Sequence, residues 1–322
     1  MIDHQLPNTP DALALWLKAL GDAQRLTVLQ LLGYTSLAVL ELAEILGVKQ
    51  TALSHHLKVL AQAELVEQRR EGNTIFYRRR LPAGQWQALH RNALKALDDQ
   101  ELAADVAERL AEVEERRSEK SRAYFAEAVD AVSDQELIVK FEEYGAVAAD
   151  MLQRAQPQVA PEALEIGPGD GQFLAMIAPQ FEKLVALDNS APLIARAKAN
   201  LQAQAVSKVE WVQGDWPKAA PPRQFDAVIL NMVLRHLPSP ADCFVSAARR
   251  LRAGGVMLIT ELCRHDQQWA SEQCGDLWLG FEEQELESWA ERAGLALLES
   301  QFIALRNGFQ VQVRTFVHAE PE

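Results

Sequence analysis

Glu165-Ile166-Gly167-Pro168-Gly169-Asp170-Gly171 is the segment whose residue types come closest to a reaction or a ligand. Glycines let the backbone approach a bound molecule, and a helix starting just beyond them offers free N–H groups. The spacing is E-x-G-x-G-x-G. It is not the dinucleotide fingerprint G-x-G-x-x-G, because Gln172 stands where that pattern needs its last glycine. Asp188 follows 23 residues after Glu165, with Asn189 beside it, and an acid at that place can accept both hydroxyls of a ribose. Gly214-Asp215-Trp216 comes next; the carboxylate can take an adenine amino group and the indole can cover the ring. Asn231 completes the set.

These residues acquire a common purpose from the elements that carry them. Strands are expected over Ala163–Gly167, Leu184–Asp188, Val209–Gly214, Phe225–Asn231 and Val256–Glu261, with helical stretches between them. That alternation is the sequence form of a parallel sheet covered by helices on both faces, and such sheets bind ligands at the carboxyl ends of their strands. The polar residues fall at four successive strand ends. The terminal stretch LLESQFIALRNGFQVQVRTFVH reads as two further strands joined at Asn307-Gly308, a hairpin signal. No residue is assigned to catalysis. His236 is a candidate general base, although its place at a helix start suits a structural role.

A second constellation lies near the amino terminus. Gln50–Gln62 (QTALSHHLKVLAQ) repeats Leu53, Leu57 and Leu60 at helical spacing, which leaves Gln50, Thr51, Ser54, His55 and Lys58 on the opposite face. Leu37–Leu46 precedes it as a short helix stopped at Gly47, so the pair reads as a helix-turn-helix. Short polar side chains early in such a second helix are types that reach base edges in the major groove. EQRREGNTIFYRRR then alternates about a Glu71-Gly72-Asn73-Thr74 turn. Its arms carry Arg69, Arg70, Arg78 and Arg79, placed for phosphate contacts. Upstream, Ala12–Leu32 has helical spacing, broken near Gly21-Asp22 and closed by Gly33.

Composition sets the frame. The chain has 322 residues, 48% hydrophobic and 24% charged, the mix of a folded protein of about two domains. The net charge of −13 alone argues against nucleic acid, but it conceals opposite halves. Residues 1–97 carry 11 Lys/Arg against 8 Asp/Glu, and residues 49–80 alone are +4. Residues 98–130 hold eleven acids against five bases, without Pro or Gly, and Leu94, Leu97, Leu102, Val106, Leu110 and Val113 keep helical spacing. This is a helical linker, either a solvent-exposed connector or a transmitter of ligand state. Three cysteines fit no disulfide framework, and neither a signal peptide nor a membrane span is legible; a cytoplasmic location and no membrane partner are expected.

Two family resemblances follow. LAEILGVKQTALSHHLKVLAQAELVEQRREGNTIFYRRR resembles the DNA-binding core of ArsR/SmtB-type winged-helix regulators. That likeness implies a homodimer on a palindromic double-stranded operator, with Ala12–Leu32 and Gln85–Leu97 at the interface. Metal sensing is not expected. ELAEIL lacks paired cysteines, His90 lacks companions, and adjacent His55 and His56 point about 100° apart on a helix. The strand-end set over about 140–322 resembles class I S-adenosylmethionine-dependent methyltransferases. By that resemblance Glu165 and Gly167 line the methionine moiety, with Gly169 and Gly171 in the same loop, Asp188 holds the ribose and Asp215 the adenine. Cys243, Cys263 and Cys274 suggest arsenic methyltransferases, with no other support.

The expected architecture is therefore a winged helix over 1–97, a helical linker over 98–130 and an α/β Rossmann-like methyltransferase fold over 131–322. The fusion resembles SahR-like regulators, which respond to S-adenosylhomocysteine and control methionine-cycle genes. It implies a transcription factor gated by S-adenosylhomocysteine or S-adenosylmethionine, the alternative being a working methyltransferase with a fused DNA-binding domain. A plain protein-interaction module would leave both motif sets unexplained.

Overall fold

Residues 9–71, 74–80, 86–127, 136–156 and 158–318 are described in this computed structural model. The chain divides into two units, Met1–Arg117 and Ser118–Glu322.

The first unit opens with α1 (Pro10–Leu20) and α2 (Ala23–Tyr34). Each is capped from its own sequence: Thr9 Oγ1 accepts from Ala12 N at 3.2 Å, and Asp22 Oδ1 accepts from Arg25 N at 3.0 Å. The break expected at Gly21-Asp22 is there. The stop expected at Gly33 is not, since α2 runs through it. A Cβ on Gly33 would lie 2.6 Å from the Arg79 guanidinium, so this glycine makes room for an arginine and ends nothing.

Leu37–Leu46, expected as one helix, splits. Leu37–Ala38 forms β1 and Val39–Leu46 forms α3. The Glu41 carboxylate accepts from Ala38 N at 2.7 Å and fixes the helix start at Val39. Gly47, at φ +65°, ends α3, and α4 spans Gln50–Gln62 as its leucine spacing requires. β2 (Val66–Glu71) and β3 (Thr74–Arg79) pair antiparallel, and β1 joins β3 through Leu37↔Tyr77 and Ala38↔Phe76. The Gly72-Asn73 turn lies outside the described residues. So does Gln85; α5 is Gln87–Asp98.

α6 runs Ala104–Glu127. Its Val106, Leu110 and Val113 are buried in the same core as Leu29, Leu42, Leu57 and Leu60. Arg117 forks onto Glu41 at 2.6 and 3.0 Å. Residues 98–117 are thus part of the first unit's packing. A stretch with that much acid reads as a connector, but one apolar stripe is enough to commit a helix to a core. From Ser118 on, α6 belongs to the second unit; residues 128–130 of the expected linker lie outside the described residues.

In the second unit α7 (Phe141–Ala155) precedes β4 (Ala160–Ile166), α8 (Gln172–Ile177), β5 (Phe181–Asp188), α9 (Ala191–Ala203), β6 (Val209–Gln213), β7 (Phe225–Asn231), α10 (Pro240–Ala248), β8 (Leu251–Leu262), α11 (Trp269–Gln273), α12 (Glu283–Arg292), β9 (Leu295–Ala304) and β10 (Gln310–His318). The sheet order is β6-β5-β4-β7-β8-β10-β9. Pairing is parallel from β6 to β8, and β10 runs antiparallel to β8 and β9. The hairpin expected at Asn307-Gly308 supplies that reversed strand, with Gly308 at φ +89°. The strand order turns back between β4 and β7, which opens a crevice at their carboxyl ends. Continuous buried runs, such as Ala227–Leu230 and Val256–Leu258, show a sheet covered on both faces.

Candidate functional site

A cavity occupies that crevice, within the second unit. Gly167 and Gly169 border it from the loop after β4, Asp188 and Asn189 from the end of β5. Gly214, Asp215 and Trp216 border it beyond β6, and Asn231 at the end of β7. Eight of the ten residues singled out in the sequence therefore face one space.

The other two serve differently. Gly171 caps α8 at φ +85°, and a Cβ there would meet Leu201 Cδ1 at 2.3 Å, so its small size lets α8 pack on α9. Glu165 is 1% exposed, behind the lining. Its Oε2 has no hydrogen-bond partner, and burial, reinforced by the Asp170 charge, pushes its pKa up to about 8. An unpaired buried carboxylate is expensive, and the group answers by holding its proton.

Asp188 is nearly as enclosed, and desolvation raises its pKa to about 6 although Oδ1 accepts from Ser190 N at 2.8 Å. Asp215 accepts from Asn189 Nδ2 on Oδ1 at 2.8 Å and from Arg122 Nη1 on Oδ2 at 2.6 Å. Asn231 Oδ1 is buried without a partner. Burial also raises the pKa of the neighbouring Tyr144 phenol. Glu136 and Asp170 add two further acids to the border, and among the described lining residues none is Lys or Arg. Four carboxyl groups around a partly apolar cleft suit a neutral or cationic ligand carrying hydroxyl and amino donors.

Sequence reasoning missed the aromatic side of the cavity. Phe125, Phe141 and Tyr144 line it together with His236. The i, i+3 spacing of Phe141 and Tyr144 on α7 was a signal for one helix face, while Phe125 gave none. His236 sits on a 3₁₀ turn, Leu234–His236; desolvation holds its pKa well below the usual imidazole value, so the ring is neutral at pH 7. Its Nδ1 lies 3.3 Å from the Gly275 carbonyl. The same turn is anchored by Arg235, wholly buried, which donates to Glu261 and Asp276, each at 3.0 Å.

In the first unit, α4 buries Leu53, Leu57 and Leu60 and exposes Gln50, Thr51, Ser54, His55 and Lys58. The hairpin arginines separate. Arg70 is exposed. Arg78 pairs with Glu67 at 2.7 Å across the strands. Arg69 is 1% exposed, and Arg79 forks onto Asp98 at 2.6 and 2.9 Å while donating to the Leu29 carbonyl. Of the four arginines expected to face phosphate, Arg70 is thus the exposed one, and Arg78 is half-buried in its pair. Arg79 instead ties the hairpin to α2 and α5. His90, 6% exposed and edge-on to Trp16, is a core histidine whose pKa burial lowers to about 4. Among the described residues no group of three or more His, Cys, Asp or Glu could hold a metal ion. No helix among them is long and apolar enough to cross a membrane.

A three-stranded wing behind a helix-turn-helix, and a seven-stranded sheet of this order with its crevice at the strand ends, define a winged helix and a Rossmann-like methyltransferase fold. Comparison with known proteins agrees unit by unit. A methyltransferase domain family matches residues 164–259 and a helix-turn-helix domain family matches residues 20–69. Trans-aconitate 2-methyltransferase of Azoarcus sp. (strain BH72) is 29% identical over 136 residues, 42% of this chain and 52% of that protein. The HTH-type transcriptional regulator KmtR of Mycobacterium tuberculosis is 46% identical over 61 residues, 19% of this chain and 47% of that one. The transcriptional repressor SdpR of Bacillus subtilis is 35% identical over 60 residues, 19% of this chain and 67% of that one. The chain spans about half the length of the first two relatives. It belongs, through its first unit, to the ArsR-type helix-turn-helix regulators, and its second unit is a class I methyltransferase domain.

Proposed function

We propose that this protein is a transcriptional regulator whose second unit binds S-adenosylhomocysteine or S-adenosylmethionine and thereby gates operator binding by the first. The observation that carries the reading is the convergence of Asp188 and Asp215 on one cavity, with no Lys or Arg among its described lining residues, in a chain that also exposes one face of α4. Asp188 accepts the ribose hydroxyls, Asp215 the adenine amino group, and Trp216 covers the ring. Glu165, Gly167 and Gly169 bound the methionine end. No metal takes part.

On the DNA side, Gln50, Thr51, Ser54, His55 and Lys58 read base edges and nearby phosphates, and Arg70 and Arg78 touch the backbone. The protein acts as a cytoplasmic homodimer on a palindromic operator. Exposed Leu15 and Leu17 on α1 and Leu89 on α5 supply apolar surface for that interface. The controlled genes are those of the methionine cycle, where the two adenosyl ligands are consumed and formed.

The test is operator binding titrated with each adenosyl ligand. A shift in operator affinity with one of them supports gating. Two sites that influence each other by 1–3 kcal/mol would move it about 5- to 150-fold. An unmoved affinity accompanied by turnover of a labelled methyl group would replace this reading with that of a working methyltransferase, for which neutral, cavity-lining His236 is the candidate base.

A further inference from the structure

The last turns of α6 belong to the second unit, and Ser118, Ser121 and Phe125 line its cavity. They meet the loops that carry the ligand-facing residues. Arg122 donates to Asp215 beyond β6 at 2.6 Å, and the Ser190 hydroxyl beyond β5 donates to the Phe125 carbonyl at 3.4 Å. The Phe125 ring stands edge-on to His236 beyond β7, with centroids 5.0 Å apart. Tyr124 lies over Gly275, where a Cβ would fall 2.5 Å from its ring, and its hydroxyl donates to the Gln273 carbonyl at 2.7 Å. One short stretch of helix is thus held by three ligand loops and by the 273–275 segment.

Asp215 is the point of conflict. Both of its oxygens already accept a hydrogen bond, Oδ1 from Asn189 and Oδ2 from Arg122. An adenine amino group that binds this carboxylate arrives where a charged donor is seated, and charge-assisted bonds are the stronger kind. The two donors differ in what else they hold. Asn189 is a neighbour of Asp188 on the same loop, whereas Arg122 is the attachment of a helix.

We propose that Arg122 competes with the adenine amino group for Asp215 Oδ2, so that an adenosyl ligand enters by breaking the Arg122–Asp215 pair and loosening residues 118–127. The inference rests on the assignment of Asp215 to adenine made above. The pair suits a breakable latch. Its side chains are 30% and 36% exposed, so solvent screens the attraction and little has to be given up to open it. It also makes the site selective for a base with a donor at this edge. A 6-oxo purine presents an acceptor there, which the carboxylate repels and Arg122 can bond.

The test uses the full-length protein and calorimetry with S-adenosylhomocysteine and S-inosylhomocysteine. Arg122→Gln is expected to tighten the adenosyl ligand about fivefold, the scale of an exposed ion pair, without tightening the inosyl one. Arg122→Lys, which keeps the charge, should stay near wild type. In the wild-type protein the adenosyl ligand should speed amide hydrogen exchange in 118–127. If Arg122→Gln weakens both ligands together, Arg122 merely supports the cavity and the proposal fails. It fails equally if both affinities are unchanged, or if the ligand protects 118–127 from exchange; the Asp215 assignment survives in each of these cases. If the wild-type protein binds neither ligand, the adenine assignment itself falls, and the latch with it.

Discussion

The two polar faces of this molecule are built on opposite terms. On α4 the side chains that reach outward are exposed and lie on the far side of a leucine stripe, so water already surrounds them. At the cavity Glu165 and Asp188 are withdrawn from water and carry raised pKa values as a result. A surface that reads DNA has to meet charge across a wide, wet interface. A pocket that recognises one small molecule gains from desolvated groups whose unmet hydrogen bonds penalise the wrong ligand. The difference teaches where each unit should be sensitive: the first to salt, the second to pH and to single atoms.

The largest expected effect tests that division directly. Asp188→Ala should weaken S-adenosylhomocysteine about 10- to 100-fold in calorimetry, the scale of bonds to a buried charge, and leave ligand-free operator binding intact. Normal ligand binding by this variant would remove the ribose role. Next comes the hairpin. Arg79→Ala should lower the unfolding free energy of the first unit by about 2 kcal/mol in urea titrations, because it removes the largely buried fork onto Asp98 and the bond to the Leu29 carbonyl. Arg70→Ala should leave stability alone and reduce the salt slope of operator binding by about one unit. Were the two variants to behave alike, the inward and outward arginines would not differ as described.

Lys58→Ala combined with His55→Ala should weaken operator binding by about tenfold or more, with ligand affinity unchanged. Unchanged gel shifts would move the reading surface off α4.

The smallest effects are in pH. Asp188 binds hydroxyl donors best as a carboxylate, so adenosyl affinity should fall as pH drops below about 6. Glu165 holds its proton to about pH 8 when folded but releases it near pH 4.5 when unfolded. The native state therefore binds more protons across that window, and its stability falls as pH rises through it. Glu165→Gln should stabilise the ligand-free protein more at pH 8.5 than at pH 5, and a difference that ignores pH would show that the carboxyl is not held protonated.

How far the sequence was legible follows the range of the forces involved. α4 and β7 match their expected bounds, because leucine spacing in one and a continuous apolar run in the other are local and strong. β1 was hidden: two residues, Leu37 and Ala38, are extended only because β3 lies beside them. Gly33 looked like a helix stop, since nothing in its own neighbourhood announces an arginine arriving from position 79. The hairpin alternates, but arginines fall on both of its faces, so the pattern alone could not tell which side turns inward. The strand-end acids were readable from spacing; Phe125 and Arg122 were not, because a helix far upstream brings the first to the cavity and the second to Asp215.

The lining of that cavity, four carboxyl groups and no Lys or Arg among its described residues, has a consequence for the company the site keeps. Adenine nucleotides share the adenosine half of the proposed ligands and would satisfy Asp188 and Asp215 equally well. Their phosphates would have to lie among fixed negative charges in a partly desolvated cleft, where like charges repel more strongly than in water. On the ligand assignment proposed above, ATP and NAD should therefore bind this site more weakly than S-adenosylhomocysteine does, an order that calorimetry with the three compounds checks.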